Sequence, residues 1–123
     1  MKLYLVLLSN EPKRVYPALM LSLAAAAMGD EVRLYATMDG LDLVHDERRK
    51  SIKLEGMPPA DKLYKDAIAM GVKICACAPS REMLAQMGIN EKVVDTRVKL
   101  EDVTGFLLEL RKDVGPGALM SFI

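Results

Sequence analysis

Short β-rich apolar runs alternate along this chain with longer segments of helical pattern, and this alternation constrains the fold more than any other feature. The first run, KLYLVLLS (Lys2–Ser9), is almost continuously apolar, as expected for a strand that is buried on both faces. Further runs of this kind are EVRLYAT, VKICAC, EKVVDT and GALMSFI. Strands that are separated by helices form a parallel sheet covered on both faces, so the sequence predicts an α/β fold with five strands.

The segments between these runs have the composition of helices and stop at turn residues. RVYPALMLSLAAAAMGD ends at Gly29, and Pro17 is expected in its first turn, where a missing N–H costs least. Helices are also predicted over DKLYKDAIAMG, PSREMLAQMG and LEDVTGFLLELRKD. The piece from Met38 to Ala60 is less regular, and we expect part of it to be a short helix and part a loop.

Length and charge restrict the classes of protein to which the chain could belong. Its 123 residues suffice for one core, and neither a repeat nor a linker divides them, so a single domain over residues 1–123 is predicted. Lys plus Arg and Asp plus Glu both total 17, which gives no general attraction to nucleic acids or anionic membranes. The apolar stretches are too short to span a bilayer, and charged residues rather than a cleavage site follow the first one. We therefore expect a cytoplasmic protein with neither nucleic acid nor membrane as partner.

Polar residues and a cysteine follow the predicted strands at the edge of the sheet where their carboxyl ends meet. Ligands and chemistry gather at this edge in parallel sheets. Asn10 follows the first strand, Asp39 and Gly40 follow the second, and Cys77 and Ser80 follow the third. A pocket lined by these residues is predicted, although Asp39-Gly40 is equally well explained as a simple turn.

The stretch KICACAPSREM contains both cysteines of the chain. Cys75 and Cys77 are two residues apart, so their side chains point to the same face of the strand. A helix that starts near Pro79 would direct its first N–H groups toward Cys77 and favour the thiolate, with Ser80 as a cap and Arg81 as added positive charge. These features predict a nucleophilic or sulfur-carrying Cys77 and a supporting or resolving Cys75. The alternative is that both are packing residues of a buried strand.

Other chemistries have less support from the sequence. A metal site needs more ligands than Cys-x-Cys and the single histidine, His45, so neither a metal nor a cofactor is predicted. The first turn, SNEPKRV, has no glycine that would let a phosphate approach the backbone, which counts against a nucleotide or flavin site. We expect His45, within DLVHDERRK, to be a solvated residue on a charged helix rather than a base near the thiol, and the run DERRK to be a solvated face.

The order of these motifs resembles that of the DsrE/DsrF/DsrH-like family, and most closely its DsrE-like branch, which is often labelled peroxiredoxin-like. The stretches that carry the resemblance are RLYATMDGLDLV, MPPADKLYKDAIAMGVKI and GVKICACAPSREMLAQMGI. Their order and spacing, rather than any one of them, make the resemblance specific, and it spans essentially the whole chain. It implies a three-layer α/β/α sandwich around a five-stranded parallel sheet, flavodoxin-like in general appearance.

The resemblance also implies a function. The family forms homo-oligomers, commonly trimers or hexamers, or assemblies with sister subunits. Its sulfur-relay members carry a persulfide on a cysteine just after the third or fourth strand and pass the sulfur to a partner such as a TusA-like carrier. Matched by strand end, that cysteine is Cys77. The chain departs from the family pattern, which resembles C-G-x-C-x-x-R-G: Ala78 follows Cys77, and alignment on Gly88 places Ser80 at the cysteine position.

Two functions therefore remain open from the sequence. The first is a sulfur-relay or thiol-redox protein, for example a sulfurtransferase, in which Cys77 is the nucleophile. The second is a non-catalytic oligomeric module that binds a small ligand or a partner through the same edge and uses its cysteines for packing.

Overall fold

A parallel β-sheet with helices on both faces forms the architecture of the protein. This computed structural model describes residues 1–77, 85, 86, 88, 97–112 and 118–123. The described strands are β1 (Lys2–Leu7), β2 (Glu31–Ala36), β3 (Lys73–Cys77), β4 (Lys99–Glu101) and β5 (Ala118–Phe122). They form one sheet in the order β4-β3-β2-β1-β5, and each neighbouring pair is parallel. The predicted α/β class is confirmed.

One face of the sheet, called the α1/α2 face below, is covered by helices α1 (Pro12–Ala27) and α2 (Ala60–Ala69). Alternate residues of β1, β2 and β3 point into this core because side chains alternate along a strand. The sheet residues that it buries are Leu5, Leu7, Val32, Leu34, Ala36, Ile74 and Ala76. Most of the buried aliphatic side chains of the described chain belong to this single cluster.

The opposite face, called the α3 face below, is covered in the described part of the chain by helix α3 (Val103–Lys112). Its cluster is smaller and mostly aromatic, with Phe106 of the helix packed on the sheet. The sheet residues of this cluster are Tyr4, Val6, Tyr35 and Cys75. The site described below belongs to this face.

Strand β4 replaces the first turn of the predicted helix LEDVTGFLLELRKD. The sequence predicted a helix from Leu100, but Lys99–Glu101 pairs with β3, and the helix begins only at Val103. The Asp102 carboxylate marks this start, because its Oδ1 accepts a hydrogen bond of 2.7 Å from the Gly105 N–H. The strand predicted over residues 91–96 lies outside the described residues, whereas β1, β2, β3 and β5 lie where strands were predicted.

Helix α1 begins earlier than the sequence predicted. Pro12 takes the first helical position, where its missing N–H costs nothing, and Pro17 therefore lies inside the helix. The expectation that Pro17 sits in the first turn was wrong, because the polar residues before it extend the helix toward its N-terminus. The Tyr16 hydroxyl, one position before Pro17, donates a hydrogen bond of 2.7 Å to the Pro58 carbonyl and ties α1 to the chain that enters α2.

Two short 3₁₀ helices, Met38–Leu43 and Arg48–Ser51, form the irregular segment between β2 and α2. The expectation of a solvated charged run is wrong at Arg49, which is only 3% exposed. Its guanidinium donates hydrogen bonds to Asp61 (2.8 Å), Asp46 (2.9 Å) and the Leu43 carbonyl (3.0 Å). It also lies 4.0 Å from the centroid of the Tyr64 ring. A buried charge with this many partners fixes the segment against α2.

His45 is also buried, so the expectation of a solvated side chain was wrong. Its Nδ1 accepts hydrogen bonds of 3.2 Å from the backbone N–H groups of both Glu47 and Arg48. These N–H groups stand at the start of the 3₁₀ helix Arg48–Ser51 and need an acceptor, which the ring supplies.

In the described part of the chain, no helix has the length and apolar character that a membrane span requires.

Candidate functional site

The two cysteines lie on the α3 face of β3 but in different surroundings. Cys75 is 1% exposed and belongs to the cluster around Phe106. Cys77 is the last residue of β3, is half-buried, and packs against the apolar clusters of both faces. Both are free thiols. The thiol at the carboxyl end of the strand is therefore the more accessible of the two to solvent.

Cys75 is held in its protonated form. Burial, the largest cause, together with the nearby Glu101 carboxylate raises the pKa of the Cys75 thiol from 9.0 to about 11. The positive charges of Arg33 and Lys99 act in the opposite direction but do not outweigh burial. Because the thiolate is the nucleophilic form of cysteine, Cys75 is a poor nucleophile at neutral pH.

Glu101 supplies a buried carboxylate next to the two thiols. It lies opposite Cys77 in the β3–β4 register and is 8% exposed. Its Oε1 lies 3.4 Å from the Lys99 Nζ, whereas its Oε2 is buried and has no hydrogen-bond partner among the described residues. Leaving such an oxygen unpaired is costly, and costs of this kind concentrate at functional sites.

Tyr35 brings a hydroxyl group to the same place. Its ring is buried and stacks on Phe106 with centroids 4.4 Å apart and planes 19° apart. The hydroxyl donates a long hydrogen bond of 3.4 Å to the carbonyl of Glu101, the residue that lies opposite Cys77 in the β3–β4 register. Burial first, and then Cys77, raise the pKa of Tyr35 well above its ordinary value. The hydroxyl therefore stays protonated and acts as a donor.

The pocket residues predicted after β1 and β2 have structural partners. Asn10 is exposed, and its Nδ2 donates a 3.0 Å hydrogen bond to Asp42. Gly40 is buried against β1, where an added Cβ would lie 2.2 Å from the Leu7 carbonyl oxygen. Asp39 is exposed beside Met38, whose φ of 53° is strained for a residue with a side chain. Close packing therefore explains Gly40, and Asn10 fastens the first loop to the next.

Two of the predicted site residues, Ser80 and Arg81, lie outside the described residues, as does the start of the helix near Pro79. Their roles remain predictions. Where the structure describes side chains, no group of three or more His, Cys, Asp and Glu residues could hold a metal ion.

Sequence reasoning missed Tyr35 and Glu101. Tyr35 could have been found, because it lies two residues before the end of a predicted strand and so shares a face with residues at the active edge. Glu101 could not be found in this way, because its segment was predicted to be helical. Only the pairing of β4 with β3 brings its carboxylate to the thiols.

Comparison with known proteins identifies relatives of the chain as a whole. The family model described as DsrE/DsrF-like matches residues 1–110. A solved structure of a protein of unknown function from Methanobacterium thermoautotrophicum superposes with a TM-score of 0.73 at 13% sequence identity, over 99% of this chain and 98% of that one. At this identity the likeness shows the fold alone. No curated protein matches the chain.

Proposed function

Since the chain belongs to the DsrE/DsrF-like family, we propose that it is a sulfur-relay or thiol-redox protein that carries a persulfide or a reactive thiolate on Cys77. One observation carries this proposal: Cys77 is a half-buried free thiol at the carboxyl end of β3, where parallel sheets bind their ligands. Cys75 is buried, so the two thiols have separate roles.

The reaction that we propose for Cys77 is an exchange of sulfur between thiols. The Cys77 thiolate attacks the outer sulfur of a persulfide donor, R–S–SH. A bond forms between Sγ and that sulfur, the S–S bond of the donor breaks, and its electron pair leaves on the donor thiolate, R–S⁻. The products are the Cys77 persulfide and R–S⁻, so charge and electrons balance and no external oxidant is needed. Attack by an acceptor thiolate on the outer sulfur returns Cys77 to its starting state.

Further residues support this role within the proposal. Cys75 is the supporting thiol, whose burial keeps it from competing with Cys77. Asn10, Asp39 and Gly40 shape the neighbouring loops of the same edge, and Ser80 and Arg81 are proposed to hold the anionic sulfur. These are roles in binding and orientation, and the chemistry itself needs only the Cys77 sulfur.

We also propose partners and a place of action. The sulfur acceptor is a TusA-like carrier, the protein assembles as a homo-trimer or homo-hexamer, and it acts in the cytoplasm, where thiols stay reduced. Light scattering coupled to size exclusion tests the assembly, and a mass equal to one chain would contradict it.

Intact mass after exposure to a polysulfide donor, before and after reductant, tests the proposed function. The expected result is a reducible gain of one sulfur atom that maps to Cys77. Cys77→Ser should abolish the gain, and Cys75→Ser, the matched control, should keep it. Full loading of the Cys77→Ser variant would refute the assignment.

A second candidate is the non-catalytic binding module with structural cysteines. The packing of Cys75 in the aromatic cluster, and of Cys77 against both clusters, favours it. It makes a different prediction: both thiols should resist thiol reagents in the native protein, and replacing either should lower stability without changing any sulfur loading.

A further inference from the structure

The hydroxyl of Tyr35 distinguishes the surroundings of Cys77 from those of Cys75. We propose that this hydroxyl is the hydrogen-bond donor that stabilises a sulfur anion on Cys77, and that it thereby selects Cys77 rather than Cys75 as the reactive thiol. The inference rests on the proposed function for its biological meaning, but its chemistry can be tested with any thiol reagent.

The strand register places the hydroxyl at Cys77 rather than at Cys75. Tyr35 lies opposite Cys75 in the β2–β3 pairing, and Cys77 lies opposite Glu101 in the β3–β4 pairing. The Tyr35 hydroxyl bonds to the Glu101 carbonyl at 3.4 Å, so the ring extends along the sheet toward its carboxyl edge. Its oxygen therefore lies beside Cys77, which is two residues nearer the carboxyl edge than Cys75, the register partner of Tyr35.

The ring is held in this orientation by other aromatic side chains. It stacks on Phe106 at 4.4 Å, and Phe106 in turn meets Tyr4 edge-on at 5.9 Å with planes 75° apart. A donor that is already fixed loses little conformational freedom when it binds an anion, so more of the interaction energy remains available. The stacking thus prepares the hydroxyl for the sulfur.

The proton of the Tyr35 hydroxyl is available to the sulfur. The other acceptor that the described residues offer it, the Glu101 carbonyl, is 3.4 Å away, a distance at which an O–H···O bond is weak. Burial keeps the phenol protonated throughout the physiological range, as the raised pKa of Tyr35 indicates. A hydrogen bond to a charged acceptor is stronger than one to a neutral carbonyl, so an anion on Cys77 attracts this proton.

The charged groups around the site explain why a donor is needed there. From β4 come the negative Glu101 and the positive Lys99, and Asp102 follows them; β2 contributes Arg33. Helix α3 covers the site with the apolar Phe106 and Leu110, and its Glu109 pairs with Arg33 at 3.5 Å. The acids therefore outnumber the bases, and Glu101 is the buried acid. A sulfur anion next to that carboxylate needs a local donor, and Tyr35 is placed to supply it.

The experiment measures the rate of iodoacetamide alkylation at each cysteine, by peptide mapping, as a function of pH. Tyr35→Phe keeps the stacked ring and removes the hydroxyl. We expect alkylation of Cys77 at pH 7 to slow by about ten-fold and its pH–rate profile to be displaced toward higher pH. At pH values well above the midpoint the two rates should converge, which a merely structural change would not produce.

Tyr16→Phe is the matched control, because it removes another buried tyrosine hydroxyl with a known partner, on the α1/α2 face. It should leave the Cys77 profile unchanged. An unchanged profile in Tyr35→Phe, or an equal shift in Tyr16→Phe, would overturn the proposal. If Tyr35→Phe is too unstable, protein labelled with 3-fluorotyrosine, a stronger donor, should shift the midpoint to lower pH, and no shift would count against the proposal.

The result of the alkylation experiment does not depend on whether the proposed function is correct. Alkylation needs no sulfur donor, so Tyr35 can control the reactivity of Cys77 in a protein that never loads sulfur. Conversely, Cys77 can load sulfur with a pH profile that ignores Tyr35. The two experiments therefore fail independently.

Discussion

The two faces of the sheet are built by the same strands but differ in chemistry. The α1/α2 face buries a large aliphatic core, and the buried Arg49 beside α2 has a partner for each of its guanidinium nitrogens. The α3 face holds a small aromatic cluster together with the buried Cys75, the half-buried Cys77, a phenol and a carboxylate oxygen without a hydrogen-bond partner in the described chain. We therefore expect the first face to contribute most of the stability, and we propose that the second carries the reactivity.

The largest effect expected from this comparison is on the α1/α2 face. Leu34→Ala removes a fully buried side chain from central strand β2 and should lower the free energy of unfolding by about 3 kcal/mol. Urea denaturation measures it. Leu108→Ala, on the exposed side of α3, is the control and should change stability by less than about 0.5 kcal/mol. Equal losses in the two variants would break the comparison.

The next effect is a loss of stability at high pH that comes from the α3 face. Burial raises the pKa of Cys75 from 9.0 to about 11. Between these values the unfolded thiol has lost its proton and the folded one has kept it, so stability falls as pH rises, by about 3 kcal/mol in total. Below pH 9 this contribution is fully present.

Cys75→Ala should remove that part of the pH dependence, as denaturation midpoints at pH 8 and pH 11 would show. Since the pKa of Tyr35 is also raised, a smaller loss at the highest pH should persist in the variant. Identical pH dependences in the two proteins would mean that Cys75 is not protected by burial.

A smaller effect is expected where charges are paired beside the α1/α2 face. Although burial opposes it, hydrogen bonds from Lys65 and Arg49 hold the pKa of Asp61 below its usual value. Asp61→Asn should therefore cost about 1 kcal/mol at neutral pH, where the carboxylate is ionised. Stability from a lowered pKa is lost as pH falls, so the cost should vanish in acid. Denaturation at pH 7 and pH 3 tests this, and a cost independent of pH would contradict it.

The smallest effect is expected at the rim of the site. Asn10→Ala removes an exposed hydrogen bond to Asp42 and should change stability by less than about 0.5 kcal/mol. If Asn10 helps to shape the proposed pocket, the same variant should slow sulfur loading of Cys77, which intact mass at short times after donor addition would show. Unchanged loading would limit Asn10 to the loop contact.

The fold could largely be predicted from the sequence, because hydrophobic periodicity indicates which residues are buried and glycines mark where helices end. The α/β class, the strands β1, β2, β3 and β5, and the position of Cys77 at a strand end all followed from such local signals. Helix starts were less accurate, as Pro12 and Pro17 show, because two prolines competed for one favourable position.

The composition of the site was less readable because it depends on pairing between distant segments. Lys99–Glu101 has no strand periodicity of its own, and its assignment comes from its partner strand β3. The buried state of Arg49 and His45 likewise depends on contacts across the fold, and their charged neighbours in sequence indicated the opposite. Patterns in sequence identify faces, whereas the partners of a buried charge must be seen in three dimensions.

Strand β4 has three residues and lies at one edge of the described sheet, so the rate at which it opens should limit access to the site. Short edge strands open locally far more often than the core unfolds. Each opening would hydrate Glu101, expose Cys75 and loosen the Tyr35 hydroxyl from its carbonyl. Amide hydrogen exchange at Leu100 and slow labelling of Cys75 should then share one rate. Cys75 would therefore stay unreactive only while the three residues of β4 remain paired with β3.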